Sequence, residues 1–164
     1  MHTYVRDGIR AVVVRYFNSY GPRVDVRHDA SVVGAFVRSA VAGEPLVVHG
    51  DGTQCRSFTY VDDTVRGTVL AATTPDAVGR VYNLGSTHET AVVDLARLVV
   101  EATGSTSPVV FTPHRVVYGQ QFDDVAHRIP NAERARRVLG WEAEVSLADG
   151  LDRTISWWRE TVGA

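Results

Sequence analysis

The stretch that decides the fold is Val12-Val13-Val14-Arg15-Tyr16-Phe17-Asn18-Ser19-Tyr20-Gly21-Pro22-Arg23. Its β-branched beginning is typical of a strand buried on both faces, as in a parallel sheet. Ligands of open α/β sheets bind at the carboxyl ends of strands, so a functional site is expected near Tyr16, Phe17 and Asn18. The residues alone are equally compatible with a core strand that is followed by an ordinary turn.

Strand and helix patterns alternate along the rest of the chain, which indicates an α/β protein. Residues 1–8 are typical of a helix end closed by Gly8, and residues 113–130 show no regular pattern. Short apolar or alternating runs predict strands at 11–17, 46–49, 56–61, 81–84 and 108–112. Apolar spacing predicts helices that begin after Asp29 or Ser31, Asp62, Thr90, Asn131 and Ser146, the last with a capping box to Asp149.

The composition is that of a globular domain, with 164 residues, 45% hydrophobic residues and a net charge of -2. This charge gives no electrostatic case for nucleic acid or for a membrane surface. We find neither an apolar run of membrane-spanning length nor a signal-peptide pattern. The single cysteine, Cys55, favours a reducing cytoplasm, and zinc-ligand spacing is absent, so no metal site is expected.

The opening stretch resembles the signature of the extended short-chain dehydrogenases that act on nucleotide sugars. These are NAD-dependent epimerases, dehydratases and decarboxylases, and the UDP-glucose 4-epimerase-like branch is the most similar. Family-like segments follow in the family's order at 45–63, 82–85 and 137–141. The resemblance implies the substrate-binding half of an extended Rossmann-type fold, with a few short strands and about five to six helices.

Three family elements have no match among these residues. They are the Gly-x-x-Gly-x-x-Gly turn that holds the NAD pyrophosphate, the catalytic Ser or Thr, and the Tyr-x-x-x-Lys pair. All 17 basic residues are Arg, so no mechanism that needs a Lys can be completed by this polypeptide. The resemblance therefore implies that 1–17 is a remnant of the dinucleotide-binding half and 18–164 the nucleotide-sugar substrate-binding domain. We expect such a truncated chain to be inactive alone.

The resemblance also implies which residues hold the nucleotide diphosphate. Arg56 matches the arginine of the family's Gln-x-Arg segment, Arg128 matches a second one, and Asn18 matches an asparagine that donates its amide to a phosphate oxygen. Arginine suits this role because its planar fork bonds phosphate oxygens bidentately. The alternatives are that both arginines are solvated surface residues and that Asn18 only shapes the turn at Gly21 and Pro22.

Four further residues match substrate contacts of the family. Leu46, Val48 and His49 belong to the short strand that frames the base, and Tyr118 lies where the family varies its sugar contacts. An aromatic residue is commoner at the position of His49. An imidazole can also stack on a base, so the substitution leaves the identity of the base undecided.

The cofactor that the resemblance implies is NAD, bound by the intact family enzyme. Tyr16 and Phe17 correspond to residues that approach the nicotinamide and the sugar, although core packing explains them equally well. Because the pyrophosphate turn is missing, we do not expect this chain alone to bind NAD tightly.

The sequence is therefore compatible with three functions. The first is the substrate-binding part of an NAD-dependent epimerase, with a dehydratase or decarboxylase of the same family as its variant. The second is a catalytically dead nucleotide-sugar-binding or regulatory remnant, and the third a scaffold that binds nothing. The expected ligand contains UDP or dTDP rather than GDP. The expected protein partner is a separate Rossmann half or a second copy of the chain.

Overall fold

The chain is an α/β protein, as the resemblance implies. A computed structural model describes residues 7–24, 31–119, 121 and 124–161. Most of the helix end expected at 1–8, and the cap expected at Asp29, lie outside these residues. The strands are β1 (Val13–Tyr16), β2 (Ser19–Tyr20), β3 (Leu46–His49), β4 (Cys55–Arg56), β5 (Thr59–Tyr60), β6 (Val81–Leu84), β7 (Thr90–Ala91), β8 (Val109–Thr112) and β9 (His127–Arg128). The helices are α1 (Val32–Ala42), α2 (Val61–Thr73), α3 (Val92–Thr103), α4 (His114–Tyr118), α5 (Glu133–Leu139) and α6 (Leu147–Thr161), with a 3-10 turn at Pro75–Ala77.

The strands form four small sheets rather than one large one. β1 pairs with β6, β2 with β5 and β3 with β8, all in parallel. The fourth sheet has the order β7-β4-β9, with β4 antiparallel to β7 and parallel to β9. Its register places Cys55 opposite His127 and Arg56 opposite Arg128, so residues far apart in sequence become neighbours.

The first of two hydrophobic cores, here called the helical core, lies between α1, α3, α6 and β3. Helix α1 buries one face at the spacing i, i+3, i+4, i+7, which is typical of an amphipathic helix. It ends at Gly43, whose φ of +72° is the left-handed conformation that glycine adopts without strain. The buried members from α1 are Val33, Phe36, Val37 and Ala40.

The second core, here called the sheet core, lies between β6, α2 and α5. Tyr82 and Leu84 alternate toward it from β6, as the period of a strand requires. Trp141 is fully buried there, and its indole Nε1 donates to the carbonyl of Asp63 at 2.9 Å. The indole therefore fills the core without leaving its polar N–H unpaired.

A buried carboxylate joins the sheet core to the segment that leads into α6. Asp63 Oδ2 accepts the backbone N–H groups of Glu144 and Val145 at 3.0 and 2.9 Å, and Oδ1 accepts from Arg66 at 2.8 Å. The expectation that Asp62 caps α2 is wrong, because the helix begins at Val61 with Tyr60 as its N-cap. The structural role at this position therefore belongs to Asp63.

One surface of the sheet core is apolar and exposed, and we call it the open face. It consists of Tyr16 on β1 and Val65 and Val69 on α2, with 52, 55 and 55% of their surface exposed. Val13 is 39% exposed on the other face of β1, since side chains alternate along a strand. The hydroxyl groups of Tyr16 and Thr68 are 3.1 Å apart, so β1 and α2 adjoin here. The burial on both faces that is typical of such a strand is therefore not reached by the residues described.

Local patterns predicted several elements closely. β3 and β6 have the predicted bounds, and the predicted cap at Ser146 is confirmed: its Oγ accepts the Asp149 N–H at 3.1 Å and donates to the Asp149 carboxylate at 2.7 Å. The strand expected at 56–61 is two short strands, and 113–130 contains α4 and β9. Thr90 and Asn131 each precede the actual N-cap by one residue. Within the ranges that the structure describes, no helix is long and apolar enough to cross a membrane.

Candidate functional site

A cavity of about 510 Å³ lies beyond the carboxyl ends of β1 and β3. Its walls come from α1, α4, the residues after β1, and strands β3, β4 and β9. Five of the predicted substrate-binding residues line it: Asn18, His49, Arg56, Tyr118 and Arg128. The fold thus brings together polar groups that are up to 110 residues apart in sequence.

Asn18 has a backbone role and a side-chain role at the same time. Its φ of +38° is left-handed, a conformation that asparagine tolerates better than most residues. The side-chain Nδ2 donates to the Ser57 carbonyl at 2.7 Å, and Oδ1 accepts from Arg128 Nη2 at 3.2 Å. Asn18 therefore shapes the turn after β1 and also orients Arg128 at the cavity.

The two predicted phosphate-binding arginines differ in their surroundings. Arg56 is only 7% exposed. Its Nη2 pairs with Asp124 Oδ1 at 2.6 Å, and its Nη1 donates to the Val125 carbonyl at 2.7 Å. Arg128 is exposed and donates to the neutral amide of Asn18. The charge of Arg56 is thus compensated within the fold, whereas Arg128 presents its charge to solvent.

Aromatic and imidazole rings also line the cavity. His49 Nδ1 lies 2.9 Å from the Tyr118 hydroxyl, and the two rings meet edge to face with centroids 5.4 Å apart. The His114 ring contacts Tyr118 in a similar way at 6.1 Å. Gly50, at φ +76°, is required beside them, because a Cβ there would overlap the His114 imidazole. These rings could stack against a planar heterocycle.

Leu46 and Val48, two predicted substrate contacts, do not line the cavity. Both are fully buried in the helical core. Side chains alternate along a strand, so it is Val47 and His49 of β3 that line the cavity.

Tyr16 and Phe17, predicted to contact the cofactor, lie outside the cavity lining. Tyr16 is at the carboxyl end of β1 on the open face. Phe17 is half-buried against Gly85, where an added Cβ would lie 2.8 Å from the Phe17 Cβ.

Sequence reasoning missed three features of this site. Asp124 lies in the stretch 113–130, which shows no regular pattern, and nothing local indicates that it pairs with Arg56. Gln54, two residues before Arg56 in the Gln-x-Arg segment, donates to the His49 carbonyl at 2.9 Å and links β3 to β4. Asp51 stabilises the intervening turn by accepting the Thr53 N–H and hydroxyl, and these bonds lower the pKa of Asp51.

Comparison with known proteins decides the family. The model of the NAD dependent epimerase/dehydratase family matches residues 1–85, just over half of the 164 residues. This chain belongs to that family. One curated relative in it is the UDP-N-acetyl-alpha-D-glucosaminuronate decarboxylase of Bacillus cytotoxicus, which is 37% identical over 157 residues. The match covers 96% of this chain and 49% of the relative, so the chain spans about half the length of the relative.

Solved structures of family members confirm the fold. The UDP-glucose 4-epimerase of Thermotoga maritima, solved with UDP-glucose, superposes with a TM-score of 0.88 at 35% identity, over 98% of this chain and 50% of that one. The UDP-glucuronic acid 4-epimerase of Bacillus cereus, solved with UDP-glucuronic acid and NAD, gives 0.83 at 28% identity, over 97% and 48%. The epimerase/dehydratase family thus includes Rossmann-type enzymes of UDP-sugars.

NAD is the cofactor of the intact family enzymes. The residues of this chain do not fit it by themselves, because the 164 residues contain no Gly-x-x-Gly-x-x-Gly turn and no lysine. Tyr16 and Phe17, the residues predicted to contact the cofactor, are at the end of β1 and do not line the cavity. We therefore assign no chemical step on NAD to these residues.

Proposed function

We propose that residues 18–164 form the nucleotide-sugar-binding domain of an NAD-dependent epimerase-type enzyme, and that 1–17 belong to its dinucleotide-binding half. The observation that carries this proposal is the convergence of Asn18, His49, Arg56, Tyr118 and Arg128 on one cavity. Its volume of about 510 Å³ is within the range of small-molecule sites.

Two groups of residues in the cavity suit the two parts of a nucleoside diphosphate, its phosphates and its base. Arg128 and the Asn18 amide would hold the phosphates, since charge-assisted bonds from a planar guanidinium are among the strongest that a protein makes to phosphate. The uracil would lie toward His49 and Tyr118. In this proposal Leu46 and Val48 contribute indirectly, by packing β3 into the helical core behind the base.

A phosphate contact to Arg56 would compete with an ion pair that is already present. It is already paired with Asp124 at 2.6 Å, so a phosphate oxygen has to compete with a carboxylate for the same guanidinium. We propose that Arg128 makes the stronger contact and that Arg56 mainly fixes the segment before β9. The alternative, in which Arg56 leaves Asp124, predicts that Asp124→Asn tightens nucleotide binding.

We propose UDP as the nucleotide because the relative and both solved structures named above act on or contain UDP-sugars. The reaction is proposed to be epimerisation, in agreement with the solved structures. Decarboxylation is the second candidate because curated relatives at 37% identity are UDP-sugar decarboxylases. The chain alone should catalyse neither, since acid–base catalysis requires a group within hydrogen-bond reach and the family's Tyr and Lys are not among these residues.

The protein partner that we propose is a dinucleotide-binding half. The open face is apolar, and this chain covers only half of solved epimerases that contain both halves of the fold. Large exposed apolar surfaces mark sites of association.

Mixing the chain with a Rossmann half and NAD should restore turnover of UDP-glucose or release of CO2 from UDP-glucuronate, and the substrate used identifies the reaction. Failure of every such mixture would favour the catalytically dead remnant, and self-association alone would favour a second copy as the partner.

The nucleotide site is tested by calorimetry with UDP on four forms of the chain: the unmodified chain and its Arg128→Ala, Arg56→Ala and Arg97→Ala variants. Arg128→Ala should weaken binding by about 1.5–3 kcal/mol, which is roughly tenfold or more. Arg97→Ala removes an exposed arginine of α3 that pairs with Asp94, and it should leave the affinity unchanged. If Arg128→Ala and Arg56→Ala both bind UDP as tightly as the unmodified chain, the phosphate assignment is wrong.

A further inference from the structure

The three-stranded sheet carries a second cluster of functional groups, away from the cavity. Cys55 on β4, Glu89 just before β7 and His127 on β9 place a sulfur, a carboxylate oxygen and an imidazole nitrogen within 4.8 Å of one another. Cys55 and His127 are directly opposite in register, as are Arg56 and Arg128. Because side chains alternate along strands, the cluster is on the opposite face from the two arginines.

The three groups are of the kinds that bind zinc. Thiolate, imidazole and carboxylate are its usual protein ligands, and sites with three of them commonly keep a water molecule in the fourth position. Zinc–ligand bonds of about 2.0–2.3 Å imply ligand atoms roughly 3.5 Å apart. Glu89 already bonds to His127 Nδ1, and both side chains are exposed, so small side-chain rotations can close the remaining distance.

We propose that Cys55, Glu89 and His127 bind one zinc ion, with water as the fourth ligand. The site does not depend on the proposed nucleotide function. It was not expected from the sequence, because its ligands are 34 and 38 residues apart and match no spacing of a zinc motif. The β7-β4-β9 order, with two strands of two residues beside β4, is what brings them together.

Zinc here would act on the strands that carry the arginines. β9 has two residues, and its pairing to β4 is short. An ion that joins β4, β9 and the residue before β7 would fix the spacing of Arg56 and Arg128 on the opposite face. The prediction that zinc tightens UDP binding rests on the proposed function, whereas the prediction of zinc binding does not.

The test uses the 164-residue chain after treatment with a chelator. Calorimetric titration with Zn²⁺ should give one ion per chain, and Co²⁺ should give the intense absorption of a thiolate–metal bond. Cys55→Ser, Glu89→Gln and His127→Gln should each lower the affinity about 100-fold, since loss even of an outer-shell partner typically costs 10–100-fold. His88→Gln, an exposed neighbour outside the cluster, is the matched control and should bind like the unmodified chain.

Two results would overturn the site. One is a set of cluster variants that bind Zn²⁺ as tightly as the His88→Gln control while their circular dichroism is unchanged. The other is a Co²⁺ complex without the thiolate absorption. UDP affinity is then compared with and without zinc: tighter binding with zinc supports the coupling and equal binding contradicts it. A chain that binds zinc but not UDP keeps the metal site and removes the proposed function.

Discussion

The two cores of this molecule border different surfaces. The helical core, between α1, α3 and α6, supports the cavity, whereas the sheet core lies beside the open face of Tyr16, Val65 and Val69. The helical core consists mainly of Val, Leu and aromatic residues, whereas half of the buried residues of the sheet core are alanines. In the proposed function, residues of this chain form the substrate site beside the helical core. We propose that the open face beside the sheet core is a surface for association.

The largest predicted change in the free energy of unfolding comes from removing Asp63, which joins the sheet core to the segment before α6. Asp63→Ala removes the acceptor of two backbone N–H groups and leaves Arg66 without this partner. It should lower the free energy of unfolding by about 3 kcal/mol, at the lower end for breaking a buried ion pair because Arg66 is partly exposed. Urea denaturation measures it.

The matched control for this change is Asp62→Ala, which alters the neighbouring, exposed carboxylate in the first turn of α2. It should cost no more than a few tenths of a kcal/mol from the helix dipole. Equal destabilisation by the two variants would mean that the buried carboxylate does not join the two cores.

The next largest loss of stability is expected at Asn18, in the turn after β1. Asn18→Ala should cost about 1–2 kcal/mol of stability, because alanine has no side chain to favour the left-handed backbone. Asn18→Gly accepts that backbone, so it should retain more of the stability while losing the same contact with Arg128.

UDP calorimetry separates the two roles of Asn18. Both variants should bind UDP more weakly than the unmodified chain and about equally. If Asn18→Gly keeps full affinity, the amide contributes nothing to the ligand and only the turn matters.

Substitutions on the open face should change the free energy of unfolding least, but they should clearly reduce association. Val65→Glu with Val69→Glu should change the free energy of unfolding by only about 0.5 kcal/mol each, as is usual for exposed positions. It should reduce self-association or binding of a Rossmann half, measured by light scattering. The control is Val116→Glu with Val117→Glu on α4, two other exposed valines, and an equal reduction there would remove the special role of the open face.

Sequence patterns predicted those elements that depend on interactions between residues close together in the sequence. The spacing of α1, the glycine that ends it and the Ser146–Asp149 capping box depend on residues a few positions apart. β9 was missed because two residues make a strand only when a distant partner, here β4, lies beside them. The burial of Asp63 was missed for the same reason, since its partners lie about 80 residues away.

The candidate site shows the same limit. Motif resemblance selected Asn18, Arg56 and Arg128, and the fold gathers them at the cavity. It did not indicate that Arg56 is neutralised by Asp124, because that pair spans 68 residues. The strand period, applied to 46–49, would have favoured Val47 and His49 over Leu46 and Val48 as cavity residues.

The most direct test of the account is calorimetry of the unmodified chain against UDP, GDP and NAD under identical conditions. The central claim is that these residues form a nucleotide-diphosphate site and no dinucleotide site. UDP should therefore bind measurably, GDP more weakly, and NAD without detectable heat. Tight binding of NAD, or binding of neither UDP nor GDP, would contradict it.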